Sequence, residues 1–161
     1  MARIVLSLGS NIEPREKHLK KAIAEIADWS ESALKVSNMY STEPVGFRSE
    51  KDFLNLAVFF ETSCSPAELL AKIHAVESKM GRIRTPGRVE DRIIDMDILF
   101  YDDLILNTDE LSIPHPRLHE RSFVLTPLLD IVPDLVHPIL HKTIWELYDE
   151  CKDLSEVRIV E

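Results

Sequence analysis

The sequence predicts an α+β fold with a ferredoxin-like βαββαβ core, an antiparallel sheet carrying both helices on one face, and a C-terminal helical extension. Three observations predict it. Short runs rich in β-branched and aromatic residues recur at 2–8, 34–40, 52–61 and 93–100. Two stretches with apolar residues at helical spacing follow the first and third of these runs, and turn-forming residues separate the elements. Strands and helices in that order build one sheet with its helices on one side, leaving the other side open to ligands.

In the first run Ile4, Leu6 and Leu8 alternate, and Gly9-Ser10-Asn11 is expected to break the strand before a helix at 14–28 with Leu19, Ile23 and Ile26 as its buried stripe. That turn reads as a plain turn with an N-cap, or as backbone amides able to receive an anion. A second strand spans 34–40 and leads into the turn-rich loop 41–47. In the third, at 52–61, Leu54, Leu56, Val58 and Phe60 form an apolar row. The opposite face holds Phe53, Asn55, Ala57 and Phe59, a pairing that suits either a stacked and edge-read heterocycle or plain sheet packing. Ser65-Pro66-Ala67-Glu68 then opens a helix with N-cap, N1 proline and capping-box glutamate, and Gly81 ends it. Its Leu69, Ile73, Val76 and Met80 face the sheet. Glu77 sits in the last turn against the macrodipole, which marks function or an ion pair with Lys79 or a nearby arginine.

The chemistry concentrates in 81–101, GRIRTPGRVEDRIIDMDILFY. In a strand at 93–100, Asp95 and Asp97 share one side while Ile94, Met96, Ile98 and Phe100 take the other. Two adjacent carboxylates repel, and a hard divalent cation such as Mg2+ turns that cost into binding. Just upstream, Arg82, Arg84, Arg88 and Arg92 carry guanidinium forks matched to phosphate oxygens. A solvated loop beside an edge strand is the plain alternative, but the two charge signs side by side favour a polyphosphate between metal and guanidinium. Further on, the stiff extended segment 111–117 holds His115, and Arg121 and Phe123 open a helix with Val124, Leu128 and Ile131 inward. One more helix with Ile144, Trp145 and Tyr148 and a short strand at 157–159 complete the chain.

The 161 residues fit a single domain, 1–161, able to bury a core without disulfides. Cys64 and Cys151 read as unpaired thiols, and His119, His137 and His141 have no metal-ligand spacing. With a formal net charge of −9, no nucleic-acid footprint is expected. No apolar run is long enough to span a bilayer and no signal-peptide pattern is present, so a cytoplasmic location is expected; a monomer is expected as well.

The chain resembles the 6-hydroxymethyl-7,8-dihydropterin pyrophosphokinases of the folate pathway, through LGSN, STEPVG, the DFLN strand, the helix ending in Glu77, the arginine loop leading to Asp95-Met96-Asp97, IPHPR and ERSFVLTPLLDIVPDLVHP. The resemblance implies transfer of the β,γ-diphosphate of ATP to the pterin hydroxymethyl group with release of AMP and use of Mg2+. It implies metal-holding roles for Asp95 and Asp97, diphosphate stabilisation by Arg82 and Arg92, and Arg84 and Arg88 in a closing loop. His115 and Arg121 would contact ATP phosphates, and Leu70, Glu77 and Ile98 would line the nucleotide pocket. Thr42, Pro44 and Val45 would shape the pterin pocket, with Asn55 reading the edge and Phe53 and Phe123 sandwiching the ring. Many relatives carry an aromatic residue and Gly-Pro where this chain has Val89-Glu90-Asp91 before Arg92, a departure expected to act on loop closure and not on the reaction. Two rivals are a Mg2+-dependent nucleotidyltransferase, disfavoured by the long sequence separation of Gly9-Ser10 from Asp95, and a non-catalytic ferredoxin-like ligand-binding module.

Overall fold

The structure, a computed structural model, describes residues 1–43, 52–81 and 91–160. In chain order its elements are β1 (Ala2–Ser10), α1 (Arg15–Trp29), β2 (Lys35–Val36), β3 (Tyr40–Thr42), β4 (Phe53–Thr62), α2 (Pro66–Lys79), β5 (Asp95–Tyr101), β6 (Leu106–Asn107), β7 (Ser112–Ile113), a 3-10 turn (Leu118–Glu120), α3 (Ser122–Ile131), α4 (Ile144–Glu150) and β8 (Val157–Ile159). The main sheet runs β5-β1-β4-β3-β8, with β2 also on β4, and all its pairings are antiparallel.

One face is closed by α1 and α2. Leu19, Ala22 and Ile26 of α1 and Leu69, Ile73 and Val76 of α2 pack on Ile4, Leu6, Leu8, Leu56, Val58, Phe60, Met96 and Ile98. The alternation of β1 and β4 makes this possible, since every second side chain lands in the same dry layer. α2 begins as the sequence demands, with Ser65 and Glu68 forming a reciprocal capping box and Pro66 in the first turn. It stops at Gly81, whose φ of +93° is readily open only to glycine.

Four expectations need correction. β1 continues through Ser10 and is not broken at Gly9, because the cross-strand partners Leu54, Asn55 and Asp95 keep the ladder going; the N-cap position of α1 falls to Pro14, which offers no side-chain cap. The expected strand at 34–40 is two short pieces: pairing with β4 slips by one residue between Val36↔Val58 and Tyr40↔Asn55, and the Ser37 hydroxyl takes the Ala57 N–H at 2.8 Å. Phe100 does not share a face with Ile98. Leu6 pairs Ile98 and Val5 pairs Phe100, so Leu99 is an extra residue that turns Phe100 over. Nor is the face opposite α1 and α2 open. Leu125 and Leu128 of α3 and Ile144 and Leu147 of α4 pack with Val5, Ala57, Leu99 and Phe100 and cover much of it.

The C-terminal segments contribute more than a covering. In α4 the buried residues are Ile144 and Leu147, while Trp145 and Tyr148 stack on each other at the surface. β8 pairs with β3. Both cysteines are free, and His137 is buried with its Nδ1 accepting the Ile139 and Leu140 N–H groups. Among the described residues no helix is long and apolar enough to cross a membrane.

Candidate active site

Strand register places the site. On the face away from α1 and α2, one row crosses the sheet as Asp95 on β5, Gly9 on β1, Asn55 on β4 and Tyr40 on β3; the next row holds Asp97, Ser7 and Ala57. Directly paired residues point to the same side, so Asp95 and Asp97 share this face with Asn55, two strands or about 10 Å away. Gly9, between them, has no side chain. A Cβ there would lie 2.9 Å from the Asn55 Oδ1, so glycine both admits Asn55 and leaves the lane between carboxylate and carboxamide clear.

Asn55 is buried, and its Nδ2 donates to the Thr42 Oγ1 at 2.7 Å. That contact fixes the carboxamide and ties Thr42, itself buried, to the same end of the sheet. Phe53 lies next along β4, half-buried; Phe123 stands in the first turn of α3 with the Arg121 guanidinium 5.7 Å from its ring centroid. Asp130, near the other end of α3, accepts from the Tyr40 hydroxyl at 2.7 Å and from the Asn38 N–H at 3.1 Å, pinning that helix to the β2–β3 edge.

At the carboxylate end, Arg92 donates to Asp95 at 2.9 Å. Asn11, which sequence reasoning passed over, holds this arginine in place. Fully buried, it donates from Nδ2 to Asp91 at 2.7 Å, accepts the Arg92 N–H on Oδ1 at 2.6 Å, and gives its own N–H to the Arg92 carbonyl at 3.0 Å. Asp91, part of the departure from the relatives' pattern, is thus a partner of Asn11. The available signal was the Asn in Gly9-Ser10-Asn11: a buried carboxamide with no neighbour of its own must find partners elsewhere.

His115 completes this end. Its backbone N–H donates to the Leu99 carbonyl at 3.0 Å, along the outer edge of β5, and its ring Nδ1 accepts the Arg117 backbone N–H at 3.2 Å, which leaves the proton of a neutral ring on Nε2. Burial, with help from the Arg121 and Arg117 charges and against the pull of Asp95, pushes its pKa down to about 4. The ring is therefore neutral at physiological pH.

The expected nucleotide-pocket residues lie round the corner. Ile98 is buried in the α1/α2 layer and Leu70 packs against that layer from α2. Glu77 is also buried there and does not pair with Lys79: its Oε2 accepts the Met96 N–H at 3.1 Å, while Lys79 pairs with Glu25. Because β5 is the sheet's edge strand, residues on its two faces can serve one ligand wrapped around that edge. Pro44, Val45, Arg82, Arg84 and Arg88 lie outside the described residues. A groove of about 970 Å3 at the far end of the same face, lined among others by Arg3, Lys35, Phe59, Asp102 and Val132, contains none of the expected site residues.

The family model for 7,8-dihydro-6-hydroxymethylpterin-pyrophosphokinase (HPPK) matches residues 5–133. The chain belongs to this family. Among HPPK relatives, the 2-amino-4-hydroxy-6-hydroxymethyldihydropteridine pyrophosphokinase of Aquifex aeolicus (strain VF5) is 39% identical over 150 residues, covering 93% of this chain and 92% of that protein. The Pneumocystis carinii folic acid synthesis protein fol1 is also 39% identical over 93% of this chain, which spans only 20% of its length. In fold, the chain matches a crystal structure of HPPK-DHPS in complex with substrates with a TM-score of 0.75 at 16% identity, over 92% of this chain and 43% of that one. A Plasmodium falciparum HPPK-DHPS structure matches with a TM-score of 0.70 over 93% of this chain and 43% of its own.

Gly9 and Asp95 are far apart in the chain, yet they are direct partners across the β1–β5 ladder.

Proposed function

We propose that the chain transfers the β,γ-diphosphate of ATP to the hydroxymethyl group of 6-hydroxymethyl-7,8-dihydropterin, releasing AMP. The observation that carries this reading is the Asp95-Gly9-Asn55 row: a carboxylate site and a fixed carboxamide on one face, separated by a bare lane about two strand spacings wide. A flat heterocycle bound at Asn55 can direct a one-carbon arm along that lane toward phosphates held at β5.

In this reading the Asn55 carboxamide, oriented by Thr42, reads the pterin edge, and Phe53 and Phe123 flank the ring. Pro44 and Val45 complete that pocket. ATP lies over the β5 edge, with Leu70, Glu77 and Ile98 on the base side. The neutral His115 donates from Nε2 to a phosphate oxygen, and Arg121 adds charge beside it. The hydroxymethyl oxygen attacks the β-phosphorus and gives up its proton to solvent, the bond from that phosphorus to the α,β-bridging oxygen breaks, and AMP departs with the bridging oxygen. No covalent protein nucleophile is needed, since such transfers depend on alignment and charge neutralisation. Arg92, steered by Asn11, shifts from Asp95 to the travelling diphosphate, which Arg82 also stabilises, and Arg84 and Arg88 add their charge from the loop that the family resemblance assigns to closing over it.

Asp95 and Asp97 fit a magnesium ion, being two oxygen donors on one face of one strand with guanidinium nearby. Bound there, Mg2+ would supply positive charge to the phosphates as negative charge shifts to the leaving group.

The order β5-β1-β4-β3 supports reading the sheet as a ferredoxin-like core, with α3, α4 and β8 as the C-terminal extension. A monomeric, cytoplasmic, single domain over 1–161, acting on small molecules and not on nucleic acid, belongs to the same proposal. The product decides the matter. Incubation with ATP, Mg2+ and the pterin is expected to give AMP and pterin diphosphate in equal amounts; inorganic pyrophosphate with an adenylylated pterin would overturn the reading.

A further inference from the structure

The C-terminal segment reaches back to the pterin end of the site at two points. Asp153, 31 residues beyond Ser122, accepts the Ser122 N–H at 3.0 Å and the Ser122 hydroxyl at 3.1 Å on one carboxylate oxygen, and the Ser155 N–H at 2.9 Å on the other. Four residues on, β8 pairs Val157 with Thr42, the residue that holds Asn55. Burial would raise the Asp153 carboxyl, but the hydrogen bonds from Ser155 and Ser122 outweigh it and keep the group ionised below the usual range.

Helix α3 needs this help. Its own N-cap residue, Arg121, makes no side-chain cap bond, and Pro127 lacks the N–H that would close the ring onto the Phe123 carbonyl. The leading N–H groups are thus left without a cap from the Arg121 side chain, and the Phe123 carbonyl receives no bond from position 127. An anion supplied from elsewhere in the chain satisfies one donor and complements the helix dipole. That turn carries Arg121 and Phe123.

We infer that Asp153 is a positioning residue for the pterin end of the site: by capping α3 from the C-terminal segment while β8 grips β3, it sets Phe123 against the Asn55–Thr42 pair. This rests on the proposed pterin role of Phe123. A change at Asp153 therefore acts on how well the ring is held, more than on the transfer step.

The test compares Asp153→Ala, Asp153→Asn and Phe123→Ala in the full chain, with steady-state kinetics well below the unfolding midpoint and direct titration of 6-hydroxymethyl-7,8-dihydropterin. Asp153→Ala is expected to raise KM for the pterin by roughly 5- to 20-fold with kcat changed less than about 3-fold, since cap loss is a modest perturbation. Asp153→Asn, itself a good cap, is expected to recover most of the loss. Asp153→Ser, too short to span both Ser122 and Ser155, serves if the alanine variant does not fold, and is expected to move KM in the same direction. A merely structural role would lower the unfolding midpoint of these variants and leave pterin KM unchanged, which overturns the inference. If Phe123→Ala weakens pterin binding while folded Asp153 variants do not, the inference alone fails. If Phe123→Ala leaves pterin affinity unchanged, the ring-holding reading fails and the inference falls with it.

Discussion

On the α1/α2 side, β1, β4 and β5 present Ile4, Leu6, Leu8, Leu56, Val58, Phe60, Met96 and Ile98, none more than 4% exposed. On the other side the same three strands present Gly9, Asn55 and Asp95, then Ser7, Asp97 and Ala57, toward one end and Val5, Phe59 and Phe100 toward the other. The first face is uniformly dry. The second is divided, its apolar end covered by α3 and α4 and its polar end left to small and hydrogen-bonding side chains. A sheet can carry both because successive residues belong to different layers, and because the Leu99 bulge hands Phe100 to the second layer where it is needed. Stability and the proposed transfer chemistry are thereby assigned chiefly to opposite sides of the sheet, with the β5 edge shared between them.

The sharpest test of that division sets Asp97→Asn against Phe60→Ala. Loss of the carboxylate is expected to cut turnover by at least roughly a hundredfold, on the scale of removing a principal electrostatic stabiliser, with little change in the urea midpoint. Phe60→Ala is expected to cost about 3–5 kcal/mol of unfolding free energy through the cavity it leaves, with near-normal turnover per folded molecule at low temperature. If Asp97→Asn unfolds the protein, or leaves AMP production intact, the assignment of chemistry to that face is wrong.

How much of this was legible in the sequence follows from the range over which each signal acts. The i, i+2 spacing fixed Asp95 and Asp97 to one side because strand geometry alone decides it, and Ser65, Pro66 and Glu68 announced α2 for the same local reason. Phe100 escaped because a bulge is a property of two strands together. Asn11 and Asp153 escaped because their partners lie 80 or more and 31 residues away, and no periodicity records a hydrogen bond of that range. The proposed sharing of the site between the two faces of β5, with Asp95 on one and Ile98 on the other, needed the sheet order, which makes β5 an edge.

Gly9 offers a finer cut at the polar end. Gly9→Ala adds only one methyl group, but its Cβ meets the Asn55 Oδ1 at 2.9 Å and Asn55 is held on its other side by Thr42. The carboxamide must shift, and overpacking of this kind costs about 1–3 kcal/mol. Pterin KM is expected to rise by roughly tenfold, the size of one misplaced hydrogen-bonding group, while KM for ATP changes little. An equal rise for both substrates would mean that the lane over Gly9 serves the nucleotide as much as the pterin, and the separation of the two ends would dissolve.

The smallest effect expected is the pH dependence carried by His115. In the unfolded chain an imidazole titrates near the ordinary histidine value, whereas burial and the Arg121 charge hold the folded one at about 4. Above the unfolded value both states are neutral and the group contributes nothing. As pH falls from there toward 4, the unfolded chain takes up a proton that the folded protein refuses, so stability is lost with acidification until the folded ring also protonates. His115→Gln removes this slope. Comparing urea unfolding of the two proteins, the variant is expected to match the parent's pH dependence near pH 7.5 and to lose less stability at pH 6, by under ~1 kcal/mol for a partly solvated ring. Identical slopes would mean that the ring accepts its proton freely in the folded state. The neutral Nε2–H donor assigned to the phosphates would then be an imidazolium over the lower pH range, and the polar end would carry one more positive charge than its architecture implies.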